Sequence, residues 1–212
     1  MAEVVYVFGR SGSGKSRSLI NFAEDEIFLV NVEGKRLPFQ KKFKYTLKTD
    51  SYDVIRNQLS KMPTKVAVID DAGYLMTNMF MRGHLSGDQF KMYNMVADGF
   101  WSLVEFCKTV LPEDVIVYFM MHEETSDTGE TKIRTIGKLL DQKVCLEGLV
   151  TIVLRTAVKD GKYYFITQNS GSDIAKSPEG MFDLEIPNDL KAVDDRIREY
   201  WGITSSTEKE KK

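Results

Sequence analysis

The chain has 212 residues, enough for one domain with a sizeable buried core. Its 29 Lys+Arg against 31 Asp+Glu leave no global basic field, so any contact with nucleic acid has to come from local patches. No apolar run approaches the length of a bilayer-spanning helix, and Met1-Ala2-Glu3 leads straight into a strand pattern without a secretory leader, so a cytoplasmic protein with no membrane partner is expected.

The first element carries the strongest signal. Val4-Val5-Tyr6-Val7-Phe8 reads as a buried strand and runs into Gly9-Arg10-Ser11-Gly12-Ser13-Gly14-Lys15-Ser16. That run matches G-x-x-x-x-G-K-[ST] at every fixed position. Its glycines let the backbone curl so that successive N–H groups face one phosphate chain. Lys15 brings positive charge to the β- and γ-phosphates, and Ser16 offers a hydroxyl to Mg²⁺. Residues 16–24 read as a short helix whose positive end adds to the anion site. A nucleoside triphosphate is the ligand these residues imply.

Ile27-Phe28-Leu29-Val30-Asn31-Val32 is a continuous apolar run closed by Glu33-Gly34, the pattern of a buried parallel strand. Lys35, Arg36, Lys41, Lys42, Lys44 and Lys48 form the densest positive stretch, either a phosphate-contacting patch or a solvated face. An edge strand is expected at 43–47. Asp50 or Ser51 caps a helix with Val54, Ile55 and Leu59 on one face. Val66-Ala67-Val68-Ile69 is the next strand, and it ends in Asp70-Asp71. Asp70 stands where a carboxylate holds the Mg²⁺ shell. Asp71 either orients water, supports that shell or caps the next helix.

Residues 74–89, with Gly83, Gly87 and clustered Met, read as a mobile segment. From 88 to 108 apolar residues recur every three or four positions, predicting a long core-facing helix stopped by Pro112. Residues 115–121 form another buried strand, ending at His122. A polar loop covers 123–131, and 136–146 is a candidate helix. Strands at 149–156 and 163–167 flank Asp160-Gly161, a hairpin signal. Asn188 caps a last helix with Leu190, Val193, Ile197, Tyr200 and Trp201 on one side. Cys107 and Cys145 read as buried free thiols. Alternating strands and helices predict a mainly parallel sheet covered on both faces, with ligands at the carboxyl ends of the strands.

The order of these elements resembles the RecA-type core: phosphate loop, strand closed by Val32-Glu33, Asp70-bearing strand, long helix, strand closed by a polar residue. It is similar, more closely, to the small RecA-like ATPases of bacteriophages that act in single-strand annealing or recombination. The segments that carry this are 9–16, Val68-Ile69-Asp70-Asp71, Ile133-Arg134-Thr135-Ile136-Gly137-Lys138-Leu139-Leu140-Asp141 and Tyr163-Tyr164-Phe165-Ile166-Thr167-Gln168-Asn169.

The resemblance implies an α/β RecA-like P-loop NTPase core over residues 1–203, with a C-terminal β-hairpin and helix. A disordered polar tail is expected at 204–212. It implies ATP and Mg²⁺ as cofactors, with Ser16 and Asp70 on the metal. Glu33 becomes the residue that activates water. Lys15 and Asp71 act beside it, and His122 senses the γ-phosphate where glutamine is usual. Expected partners are single-stranded DNA, further copies of the chain with ATP between subunits, and a phage or host single-strand binding protein. Residues 76–89, with Met79, Phe80, Met81 and Arg82, and 123–135, with Lys132 and Arg134, match the DNA-lining loops. Lys138 and Lys143 are candidates to reach a neighbour's γ-phosphate. Two other functions share a P-loop and an Asp-bearing strand: a nucleoside or nucleotide kinase, and a nucleotide-dependent switch without useful turnover.

Overall fold

A mixed sheet organises the computed structural model, which describes residues 1–85, 87–137 and 139–203. Strand β1 (Glu3–Gly9) lies inside it, flanked by β5 (Ile116–Thr125) on one side and β7 (Ile152–Lys159) on the other. Beyond β5 come β4 (Val66–Asp70), β2 (Ile27–Asn31) and the short edge strand β3 (Tyr45–Leu47). All of these run parallel. β8 (Lys162–Ile166) and β9 (Glu185–Pro187) close the other edge antiparallel, and β6 (Thr131–Ile133) folds back on the end of β5.

The apolar runs of β1, β2 and β4 follow from being covered on both faces. Alternation along β1 divides it between two cores. Val4, Tyr6 and Phe8 pack toward α1 (Tyr52–Leu59), α2 (Gly73–Gly83) and α3 (Gln89–Val110). Val5 and Val7 pack with Leu19, Phe22 and the Leu190, Val193 and Ile197 stripe of α4 (Leu190–Trp201). Asp88 caps α3 by accepting from the Lys91 N–H, and Asp189 caps α4 by accepting from Lys191 and Ala192. Asn188, the expected cap, lies one residue outside.

Several expectations are corrected. Residues 16–24 hold only one 3₁₀ turn, Ser16–Leu19, continued by single i→i+3 bonds from Ile20 and Phe22. The chain has to turn at once into β2, and Lys41 stabilises that turn by donating to the carbonyls of Ile20 and Phe22. Residues 74–83 of the segment read as mobile belong to the helix α2, packed on the core through Leu75 and Met76. β5 continues past His122 to Thr125, so much of the expected polar loop is a hairpin with β6. Among the described residues of the candidate helix at 136–146, Leu140–Val144 form a wide π-type turn, which ends at Cys145 in a left-handed conformation, φ +56°, and a 3₁₀ turn starts at Leu146. Cys107 is buried as expected, but Cys145 is exposed and its thiol donates to Glu147. Val54, Tyr200 and Trp201 are exposed rather than core-facing. Lys138 and the tail 204–212 lie outside the described residues.

Candidate functional site

Parallel strands bring their carboxyl ends to one edge, and the chemistry gathers there. In register, Gly9 faces His122 across β1 and β5, and Asn31 faces Asp70 across β2 and β4. The 9–16 loop rises from β1 into a cavity of about 480 Å³, whose walls include Lys15, Ser16, Asp71 and His122.

Two glycines of the loop are required by space. A Cβ on Gly9 would collide with the hydroxyl of Thr156, and one on Gly14 would sit 2.7 Å from Cδ1 of Tyr163, where φ is also +104°. The loop is braced from below. Ser13 shares a hydrogen bond with Thr156 and donates to the Arg10 carbonyl, while Arg155 and Arg10 both reach the buried carboxylate of Glu123. Lys15 is nearly buried, and its ammonium donates to the carbonyls of Gly9 and Arg10, each at 2.9 Å. Burial pulls its pKa below the ordinary lysine range, against the raising pull of Asp71, Asp70 and Glu123.

The hydroxyl of Ser16 donates to both oxygens of Asp70 at 2.9 Å. The Asp70 carboxyl is pushed up to about 6, first by burial and then by the charge of Asp71. A hydroxyl beside a buried carboxylate is a hard oxygen pair of the kind Mg²⁺ takes. Among the described residues no group of three His, Cys, Asp or Glu side chains could hold a metal. The remaining ligands would therefore be phosphate oxygens and water.

That burial has a measurable cost. Because the folded-state pKa of Asp70 lies above its ordinary 3.8, the folded protein binds this proton more tightly than the unfolded chain does. The penalty is absent below about pH 4 and complete above about pH 6. Asp70→Asn is expected to raise stability at pH 7.5 by on the order of 1–3 kcal/mol. Urea unfolding in EDTA should show the gain shrinking toward pH 5; a mutant less stable at pH 7.5 would contradict it.

Asp71 occupies a left-handed backbone conformation, φ +59°, unusual outside glycine. Neighbouring bonds hold it there: Val32 N–H donates to the Asp70 carbonyl and Ala72 N–H to that of Met120. Its carboxylate meets the Lys35 ammonium at 2.8 Å and lies 3.3 Å from Nε2 of His122. Burial alone would raise its pKa, but His122 and Lys35 outweigh that and hold the carboxyl at about 2. His122 packs edge-on against Tyr74.

Glu33 stands apart. β2 ends at Asn31, so Glu33 falls in the turn beyond it, and Nδ2 of Asn78 on α2 donates to its carboxylate at 3.0 Å. It lines neither the phosphate-loop cavity nor its neighbour. Asp71, paired with Lys35, lines that cavity, and Glu33 does not.

Ile20, Phe39 and Tyr163 add less polar lining to the cavity, and the Arg17 guanidinium lies 4.8 Å from the Tyr163 ring centre. Such a wall suits a flat base. A second cavity of about 470 Å³ adjoins the first, and Ser11, Lys35 and His122 line both. Arg10, Tyr74 and Arg134 face it. From the sequence, Lys35 is expected only within a basic stretch and Tyr163 only within a segment that carries the resemblance, and Thr156 is not expected at the site. No local signal marks the latter two, since β7 and β8 bring them from more than 140 residues away.

The mostly parallel α/β sheet and the glycine-rich loop at its carboxyl edge define an α/β protein with a candidate phosphate-binding site. No protein-family model matches the chain, and no curated protein matches it. Among the described residues no helix is long and apolar enough to cross a membrane.

Proposed function

We propose that this chain is a RecA-like ATPase that binds ATP with Mg²⁺ on the 9–16 loop, hydrolyses it, and acts on single-stranded DNA as an oligomer. The observation that carries the reading is the Ser16–Asp70 pair at the foot of the loop, with Asp71 and His122 on the wall of the same cavity. Backbone N–H groups of the loop cradle the phosphates, and Lys15 exchanges its own loop carbonyls for phosphate oxygens. Ser16 and Asp70 would hold Mg²⁺, which would supply positive charge to offset that of the phosphates. Asp71 holds the water in line, and His122 orients Asp71. Positioning and electrostatics of this kind supply most of the rate in phosphoryl transfer.

Strand order supports the RecA-like part of the reading. The His122 strand lies between the loop strand and the Asp70 strand, so a γ-phosphate reader on it stands beside both. Support for DNA is local. At the turn between α2 and α3 the apolar side chains of Met81, Leu85 and Phe90 are exposed, Leu85 by 87% and Phe90 by 76%. Exposed apolar groups of this kind serve as surfaces on which bases stack. Phe80, another candidate for stacking, instead packs on Tyr93 at 5.0 Å between ring centres.

The second cavity favours one other reading, phosphoryl transfer to an anionic acceptor, because Arg10, Lys35 and Arg134 line it next to the phosphate site. ATP turnover with and without single-stranded DNA separates the two. A severalfold rise is expected. Phosphate appearing on added nucleotides would select the kinase instead, and binding without turnover would select a switch.

A further inference from the structure

Lys35 is built into the site in an unusual way. Its backbone is pinned: Asn31 at the end of β2 donates from Nδ2 to the Lys35 carbonyl at 2.7 Å, after a turn made by Gly34 at φ +64°. Its side chain is not, being 57% exposed. The ammonium reaches Asp71 at 2.8 Å and lies 4.8 Å from the Tyr74 ring centre. The side chain stands on the boundary of both cavities, facing the phosphate loop on one side and the Arg134 wall on the other.

Building on the nucleotide-binding reading above, we propose that Lys35 is a phosphate-reading cation, which passes from Asp71 to the terminal phosphate of a bound nucleoside triphosphate and so frees Asp71 to hold water. Three features argue for it. Of the two partners, Asp71 is the fixed one, because its left-handed backbone is flanked by bonds joining Asp70 to Val32 and Ala72 to Met120 of β5, and the exposed lysine is the one able to move. His122, 3.3 Å from the mostly buried carboxylate, stays beside Asp71 when the lysine leaves. A terminal phosphate offers more charge and more acceptor oxygens than one carboxylate, so the ammonium favours it. A diphosphate leaves that position unfilled. Lys35 then stays on Asp71 and the carboxylate remains engaged. Lys35 is thus a device for telling triphosphate from diphosphate within one subunit, before any neighbour contributes a residue.

The discriminating experiment is calorimetric binding of Mg²⁺–AMP-PNP and Mg²⁺–ADP to the full chain and to Lys35→Gln and Lys35→Arg. Lys35→Gln is expected to weaken AMP-PNP about tenfold or more while leaving ADP within about twofold, as for a lost charge-assisted bond to the terminal phosphate. Lys35→Arg should recover most of the difference, since it restores the charge. Equal losses for both nucleotides, or no loss for either, would overturn the role of Lys35 while leaving nucleotide binding intact. An unmutated chain that bound neither nucleotide would overturn the nucleotide reading itself.

Discussion

Lys15→Ala is expected to abolish ATP binding at micromolar nucleotide, with affinity falling by on the order of 10²-fold or more. Lys15 is the buried cation of the loop, whereas Arg10 is engaged with Glu123, and backbone N–H groups cannot replace the Lys15 charge on the β- and γ-phosphates. The fold should survive the change. Burial already disfavours the charged form of Lys15, so removing it relieves a desolvation cost even as two bonds to loop carbonyls are lost. Equilibrium binding of a fluorescent ATP analogue, with a thermal melt beside it, tests both halves. Retained binding in a folded mutant would remove the basis for the phosphate-loop reading. A collapsed melt would show that the lysine is chiefly a brace for the loop.

The second large effect separates two carboxylates. Asp71→Asn is expected to lower ATP turnover by on the order of 10²-fold while sparing ATP affinity, as for a lost water-positioning group. Glu33→Gln should cost less than about tenfold. This reverses the role that the resemblance to the RecA-type core implies for Glu33. The reason is geometric: Asp71 is on the cavity wall in a strained, firmly held backbone, whereas Glu33 is turned toward Asn78 on α2. Strain held by surrounding bonds is commonly found where a side chain has to be aimed. Steady-state turnover of both mutants decides the matter. A large loss in Glu33→Gln with near-normal Asp71→Asn would return the role to Glu33, and would mean that Asn78 releases it when nucleotide binds.

Much of the architecture was legible in the order of residues, for reasons that act over short range. Strands covered on both faces need unbroken apolar runs, so β1, β2, β4 and β5 announce themselves, and a strand followed by glycines, Lys15 and Ser16 marks a candidate phosphate loop by its local pattern. The placing of Asp70 and Asp71 at the end of β4 followed from the same runs, whereas His122, expected at a strand end, lies inside β5 at the register of Gly9. What the tertiary structure decided depended on where chain segments turn and which neighbours they meet. Residues 16–24 could continue as a helix by pattern, yet the need to enter β2 and the Lys41 bonds to their carbonyls leave a single turn. Residues 74–83 look loose by composition, and packing of Leu75 and Met76 makes them a helix. Glu33 and Asp71 each follow a strand, and only the position of Asn78, the backbone at Asp71 and the reach of Lys35 distinguish them. Side-chain direction past a strand end is set by long-range contacts, which the order of residues does not carry.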